Sequence, residues 1–153
     1  MTTSITPILL HVTSPAFREN NLIPEKYGCK QEKNINPPIS IKNIPAAAKC
    51  LALIVDDPDA PNGTFVHWVM WNIDPVIMID EDSAPGIQGK NGKGNNEYTG
   101  PCPPFGTHHY HFKIYALDTI LDIDEHSGKQ ALEDAMKHHI IARGELIGLY
   151  KKQ

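Results

Sequence analysis

At 153 residues with a formal charge of −4, the chain is long enough for one hydrophobic core, and its lysines are scattered rather than gathered into a basic stripe. That balance argues against a nucleic-acid partner, and the lack of an apolar run of membrane-spanning length argues against integral membrane association. A domain of this size buries about 68–70% of the surface its unfolded chain exposes, so no staple is required.

There is no internal repeat, low-complexity segment or long charge run, and residues 1–153 are expected to form a single domain. The start, Met1–Thr6, lacks a basic segment followed by an apolar one, which predicts a cytoplasmic protein. Ile8–Val12, Ile39–Lys42, Lys49–Val55 and Phe65–Asn72 are short, β-branched or aromatic runs separated by Pro, Gly and Asn, and are predicted strands. The third ends in Asp56-Asp57-Pro58-Asp59-Ala60-Pro61, where carboxylates and prolines form a stiff turn. In the fourth, strict alternation puts Val66, Trp68 and Met70 on one face and His67, Val69 and Trp71 on the other. Both faces are then mostly apolar, which predicts a central strand.

Ile87–Thr99, with Gly89, Gly92, Gly94 and Asn95-Asn96, reads as a long mobile loop. It leads into Gly100-Pro101-Cys102-Pro103-Pro104, a second proline-stiffened loop in which one X-Pro bond is open to the cis form. A strand over His109–Leu117 follows. Ser127 with Gln130 has the spacing of a capping box, and Leu132, Ala135, Met136, His139 and Ile140 recur at helical spacing. Arg143–Tyr150 alternates again and predicts a closing strand. Cys29, Cys50 and Cys102, odd in number and widely spaced, read as reduced thiols.

Two proline loops, each beside a strand that offers an acid or an imidazole, predict one convergent polar site. Its candidate members are Asp57, His67, His108 and Tyr110. His108 and Tyr110 share a strand face, whereas His109 and His111 point away from them. Imidazole and phenol both donate and accept hydrogen bonds, so the set suits an oxygen-rich anion, phosphate-like or carboxylate, with Asp57 orienting a histidine. No cofactor is expected. A metal held by the histidines of His108–His111 with Asp57 and His67 is disfavoured by that alternation and by the lack of HExxH or CxxC spacing. Cys102 is the sensible nucleophile for a hydrolase, but no basic neighbour stands beside it in sequence, so no catalytic residue is assigned.

The segments Asp57-Pro58-Asp59-Ala60-Pro61 with His67-Trp68, and Gly100-Pro101-Cys102-Pro103-Pro104 with Gly106, His108, Tyr110 and Phe112, resemble the phosphatidylethanolamine-binding protein family. The closer likeness is to its bacterial Raf-kinase-inhibitor-like branch. Ser14-Pro15-Ala16-Phe17, Pro37-Pro38-Ile39-Ser40 and Glu145–Tyr150 extend it over most of the chain. The resemblance implies a mainly β fold: a sandwich in which an antiparallel-rich central sheet packs on a smaller one, with peripheral helices. It also implies a small-anion pocket lined by Asp57, His67, His108 and Tyr110, with Gly100 and Pro101 closing the rim. Phosphate and phosphorylated head groups are the ligands so implied, and a homodimer the assembly. The chain departs from the pattern at Cys29–Asn34 and Ile41, positions that bear on loop shape rather than pocket chemistry. The function expected is a small-anion-binding regulatory or interaction module, not an enzyme. The alternatives are inhibition of a protease or kinase through surface loops such as Gly89–Asn96, and a hydrolase built on the Asp/His pocket.

Overall fold

The computed structural model describes residues 8–153; the Met1–Thr6 start lies outside them. In chain order the elements are β1 (Ile8–Leu9), β2 (His11–Thr13), a 3-10 turn (Glu25–Tyr27), β3 (Ile39–Lys42), β4 (Cys50–Asp57), β5 (Phe65–Ile73), β6 (Met78–Ile79), β7 (Ile87–Gln88), β8 (Thr107–Leu117), α1 (Lys129–Met136) and β9 (Ile140–Lys151). A six-stranded sheet runs β1-β9-β8-β4-β5-β7, and a three-stranded sheet runs β2-β3-β6. The pairings between these strands are antiparallel except β1 with β9, so the expected mainly β, two-sheet architecture is present. Among the described residues its helical part is a single eight-residue α-helix plus the 3-10 turn. No helix among the described residues is long and apolar enough to cross a membrane.

The sheets meet through alternate residues. Ile39 and Ile41 of β3 pack with Leu51, Leu53, Val55, Trp68, Met70, Phe112 and Ile114 of the large sheet in one buried cluster. The opposite face of the large sheet carries Ala52, Ile54, Val69 and Trp71, covered by Leu132 and Met136 of α1. β4 is buried along its whole length because it lies between β8 and β5 and has a core on each face.

Three elements differ from expectation. Ile8–Val12 is not one strand: Ile8 and Leu9 pair with Ala142 and Arg143 of β9, whereas His11 and Val12 pair with Lys42 and Ile41 of β3. The chain changes sheets at Leu10, whose N–H still bonds the Arg143 carbonyl at 2.8 Å. The crossing requires a bare backbone beneath it, since a Cβ on Gly144 would lie 2.4 Å from the Leu10 oxygen.

The helix is also shorter than its apolar spacing. Its N-cap is Gly128, with no side-chain cap, while the Ser127 carbonyl accepts from Lys90 N–H at 2.8 Å, so the expected capping box does not form. At the other end His138 adopts φ 68°, a left-handed turn, and Ile140 pairs with Leu117. β-Branched Ile140 and Ile141 fit a pleated strand better than another helical turn, so β9 starts earlier than Arg143. Finally, every peptide bond among the described residues is trans, those before Pro101, Pro103 and Pro104 included.

Candidate functional site

β4 ends in two carboxylates that alternation sends to opposite faces. Asp56 pairs with Lys113 and Lys129 at 3.1 and 2.9 Å on the helix side. Asp57 turns to the other side and reaches His108 at the start of β8, with 2.7 Å between Oδ2 and Nδ1. Both side chains are nearly inaccessible, 4% and 5% exposed. The other Asp57 oxygen accepts from Asp59 N–H at 2.8 Å, an Asx turn that fixes the proline loop. Asp59 in turn accepts from the His109 backbone N–H at 2.8 Å and lies 2.7 Å from its Nδ1. Adjacent β8 histidines thus fasten one loop from opposite sides of the strand.

His67 reaches the same place through an irregularity that strict alternation misses. Val55 pairs with Trp68, but the next β4 residue, Asp56, pairs with Val66, so β5 carries one extra residue there. This β-bulge centres on His67. Val66 packs with Val69 and Trp71 on the helix side, while His67 turns to Tyr110, ring centroids 5.1 Å apart. The expected grouping of Val66 with Trp68, and of His67 with Val69 and Trp71, is therefore corrected at this point of the strand. A bulge re-aims a side chain at the end of a strand pair, and here it moves an imidazole from the helix face to the cavity.

The resulting cavity has a volume of about 200 Å³. Asp57, His67, Gly100, His108 and Tyr110 line it together, although they come from β4, β5, β8 and the loop before β8. Pro101 is not among the lining residues: its carbonyl accepts from Cys29 N–H at 3.0 Å, so it holds the rim from behind. Gly100 permits that approach, because a Cβ there would lie 2.6 Å from the Tyr27 oxygen. His109 and His111 point elsewhere, His109 to Asp59 and His111 to Glu145.

Sequence reasoning passed over several lining groups, chiefly Phe65, Lys93, Thr99 and Pro104. Lys93 belongs to the segment expected to be a long mobile loop, which is instead tied down. Ile87–Gln88 pairs with β5, Asn91 Oδ1 accepts from Lys93 and Asn95 N–H, and Gly92 N–H bonds the Val66 carbonyl. The available signal was Asn91 among glycines, an arrangement suited to Asx-type turns.

The expectation of three reduced thiols is overturned. Cys29 and Cys102 form a disulfide, with Cα atoms 5.4 Å apart and a sequence separation of 73, leaving buried Cys50 as the free cysteine. The 3-10 turn and the Gly100–Pro104 loop meet back to back and bring the sulfurs into bonding reach. The bond withdraws Cys102 as a nucleophile and removes the free-thiol ground for expecting a reducing compartment.

Comparison with known proteins bears on the family and the fold. The family model described as phosphatidylethanolamine-binding protein matches residues 13–151. The chain belongs to the phosphatidylethanolamine-binding protein family. It is 47% identical to a UPF0098 protein of Pyrococcus horikoshii over 151 residues, covering 92% of this chain and 76% of that one. Among solved structures, a putative phosphatidylethanolamine-binding protein homologue from Chlamydia trachomatis superposes with a TM-score of 0.90 at 41% identity, covering 95% of this chain and 99% of that one. E. coli YbcL, described as a new member of the mammalian family, superposes with a TM-score of 0.85 at 26% identity over 94% and 99%.

In this member of the family both cavity imidazoles have their tautomer set from behind. His67 Nδ1 lies 2.8 Å from the Thr99 carbonyl, which can only accept, so Nδ1 carries the hydrogen and Nε2 is the free ring nitrogen. His108 Nδ1 faces the Asp57 carboxylate in the same way. Burial pushes the His67 pKa below its ordinary 6.5, against the opposing pull of the Thr99 carbonyl and Asp57, and Lys93 adds to the downward push. Burial, then the charge of Asp57, pushes the Tyr110 phenol up, so Tyr110 remains a hydroxyl donor.

Two outcomes follow for the free protein. A depressed His67 pKa contributes stability that is complete above the unfolded value near 6.5 and is lost as pH falls from there through the folded value. Chemical denaturation should therefore give a fall in stability between pH 7 and 5 that is smaller in His67→Gln; equal slopes would place His67 outside this linkage. Removing the disulfide, by reductant or by a Cys29→Ser, Cys102→Ser pair, should lower unfolding free energy by about 2–4 kcal/mol. A midpoint insensitive to reductant would contradict the tether.

Proposed function

We propose that the cavity binds a small oxoanion, above all a phosphate or phosphate monoester carrying one proton, and that the protein works as a binding module rather than as a catalyst. The observation behind this reading is the pair of free Nε2 atoms whose opposite ring nitrogens are committed to Thr99 and Asp57. His67, held neutral by burial, presents a lone pair and so takes a hydrogen bond from a P–OH group. His108 in its imidazolium form presents an Nε2–H to a P–O⁻, with its charge balanced by Asp57. The Tyr110 hydroxyl is a further donor for the rim of the anion. A monoanionic phosphate ester supplies one P–OH and P–O⁻ acceptors together.

The family's description as phosphatidylethanolamine-binding favours a phosphorylated ligand. A carboxylate can meet His108 and Tyr110 but offers His67 a donor only in its acid form. Hydrolysis is disfavoured because the thiol nearest the imidazoles is part of the disulfide. Truncation of His108 to alanine removes one charge-assisted hydrogen bond, an expected affinity loss of about 1.5–3 kcal/mol.

Calorimetric titration with methyl phosphate and with sulfate tests this reading. A phosphate monoester has its second pKa near 6, so affinity should fall by at least about tenfold per pH unit above pH 7, as the P–OH is lost and the His108 Nε2–H must also be kept. Sulfate, unprotonated throughout, should bind at least about tenfold more weakly than methyl phosphate at pH 6 for want of a donor to His67. Equal affinity for the two anions, or affinity flat with pH, would refute a protonated ligand.

A further inference from the structure

Lys93 is the cation at this cavity that none of the pairings above uses. It lines the space shared by Asp57, His67 and His108, and it makes no ion pair among the described residues. Its backbone is fixed: Asn91 Oδ1 accepts its N–H at 2.9 Å, and neighbouring Gly92 bonds Val66 at the bulge that turns His67. A Cβ on Gly92 would lie 2.6 Å from the Phe65 ring, itself part of the wall, so the loop is seated directly on the pocket. The lysine is thereby delivered to the rim by the same stretch of β5 that delivers His67.

The lining contains one carboxylate, and it is spoken for. Asp57 uses Oδ2 on His108 and Oδ1 on the Asp59 N–H. A ligand ammonium entering the cavity therefore meets a free cation and no uncommitted acid, whereas an anion meets a cation whose charge nothing else neutralises. Ala60, Pro61, Pro103 and Pro104 complete the wall without any charge.

We infer that Lys93 sets the ligand class of this site: it pairs with the anion and disfavours a cationic tail, so the pocket takes phosphate monoesters of neutral or acidic alcohols in preference to phosphoethanolamine. The inference rests on the anion-binding reading of the same cavity. It runs against the expectation that the family's description alone would raise, because the ethanolamine ammonium would be brought toward a like charge. Lys93 also opposes protonation of His67, so the comparison belongs at pH 7, where that effect on occupancy is small.

The test is calorimetric titration of wild type, Lys93→Gln and Lys93→Arg with methyl phosphate and with O-phosphoethanolamine at pH 7. Wild type should prefer methyl phosphate by about tenfold, Lys93→Gln should lose about tenfold for methyl phosphate and little for phosphoethanolamine, and Lys93→Arg should keep the preference. Unchanged methyl phosphate affinity in Lys93→Gln, or wild type binding phosphoethanolamine as tightly as methyl phosphate, overturns the role of Lys93 while leaving the anion site standing. Binding of neither probe by wild type overturns the anion reading and this inference with it.

Discussion

The hydrogen bond from His108 to Asp57 is the constraint on which the site depends. A carboxylate buried to this degree is strongly disfavoured unless its oxygens are occupied, and here one meets an imidazole N–H and the other a backbone N–H. That requirement joins the end of β4 to the beginning of β8, two positions far apart in the chain and brought together by the pairing of those strands in the large sheet. It also dictates which His108 nitrogen faces the cavity. The outward Asp59–His109 contacts repeat the connection on the other side of β8, so the proline loop cannot swing without breaking both.

Beside this fixed pair, His67 works by contrast. Its outer nitrogen bonds a carbonyl, which brings no countercharge, and its burial disfavours the imidazolium. Two histidines of identical intrinsic chemistry thus acquire different surroundings, one backed by a carboxylate and one by a neutral carbonyl. Environment rather than residue type divides the two, and this division is what the proposed singly protonated oxoanion would use.

Much of this was legible in the amino-acid sequence. β3, β4, β5 and β8 follow from runs of β-branched and aromatic residues, and Asp57, His108 and Tyr110 follow from two proline loops joined to such strands. His67 was assigned to the site although strict alternation turns it to the helix face; the bulge that reverses it depends on how β5 registers against β4, a relation between strands that no local pattern encodes. The change of sheet at Leu10 is hidden for the same reason, since five apolar-rich residues look alike whether one sheet or two receives them. The Cys29–Cys102 pairing depends on two loops meeting in space, and cysteine parity pointed the other way. Lys93 was obscured by glycines that suggested motion, whereas Asn91 supplies the hydrogen bonds that hold the turn.

Where the protons sit on the two cavity imidazoles is the most direct test of the site. Nitrogen-15 NMR of the histidine rings, recorded on free protein at pH 7 and again with saturating inorganic phosphate at pH 6, reads this without reference to affinity. In the free protein the His67 ring should be neutral with hydrogen on Nδ1, and His108 should carry hydrogen on Nδ1. With phosphate bound, His108 should present an Nε2–H to it and His67 Nε2 should be a hydrogen-bonded acceptor. A His67 ring protonated on both nitrogens, or either histidine in the Nε2–H tautomer in the free protein, would contradict the account at its root.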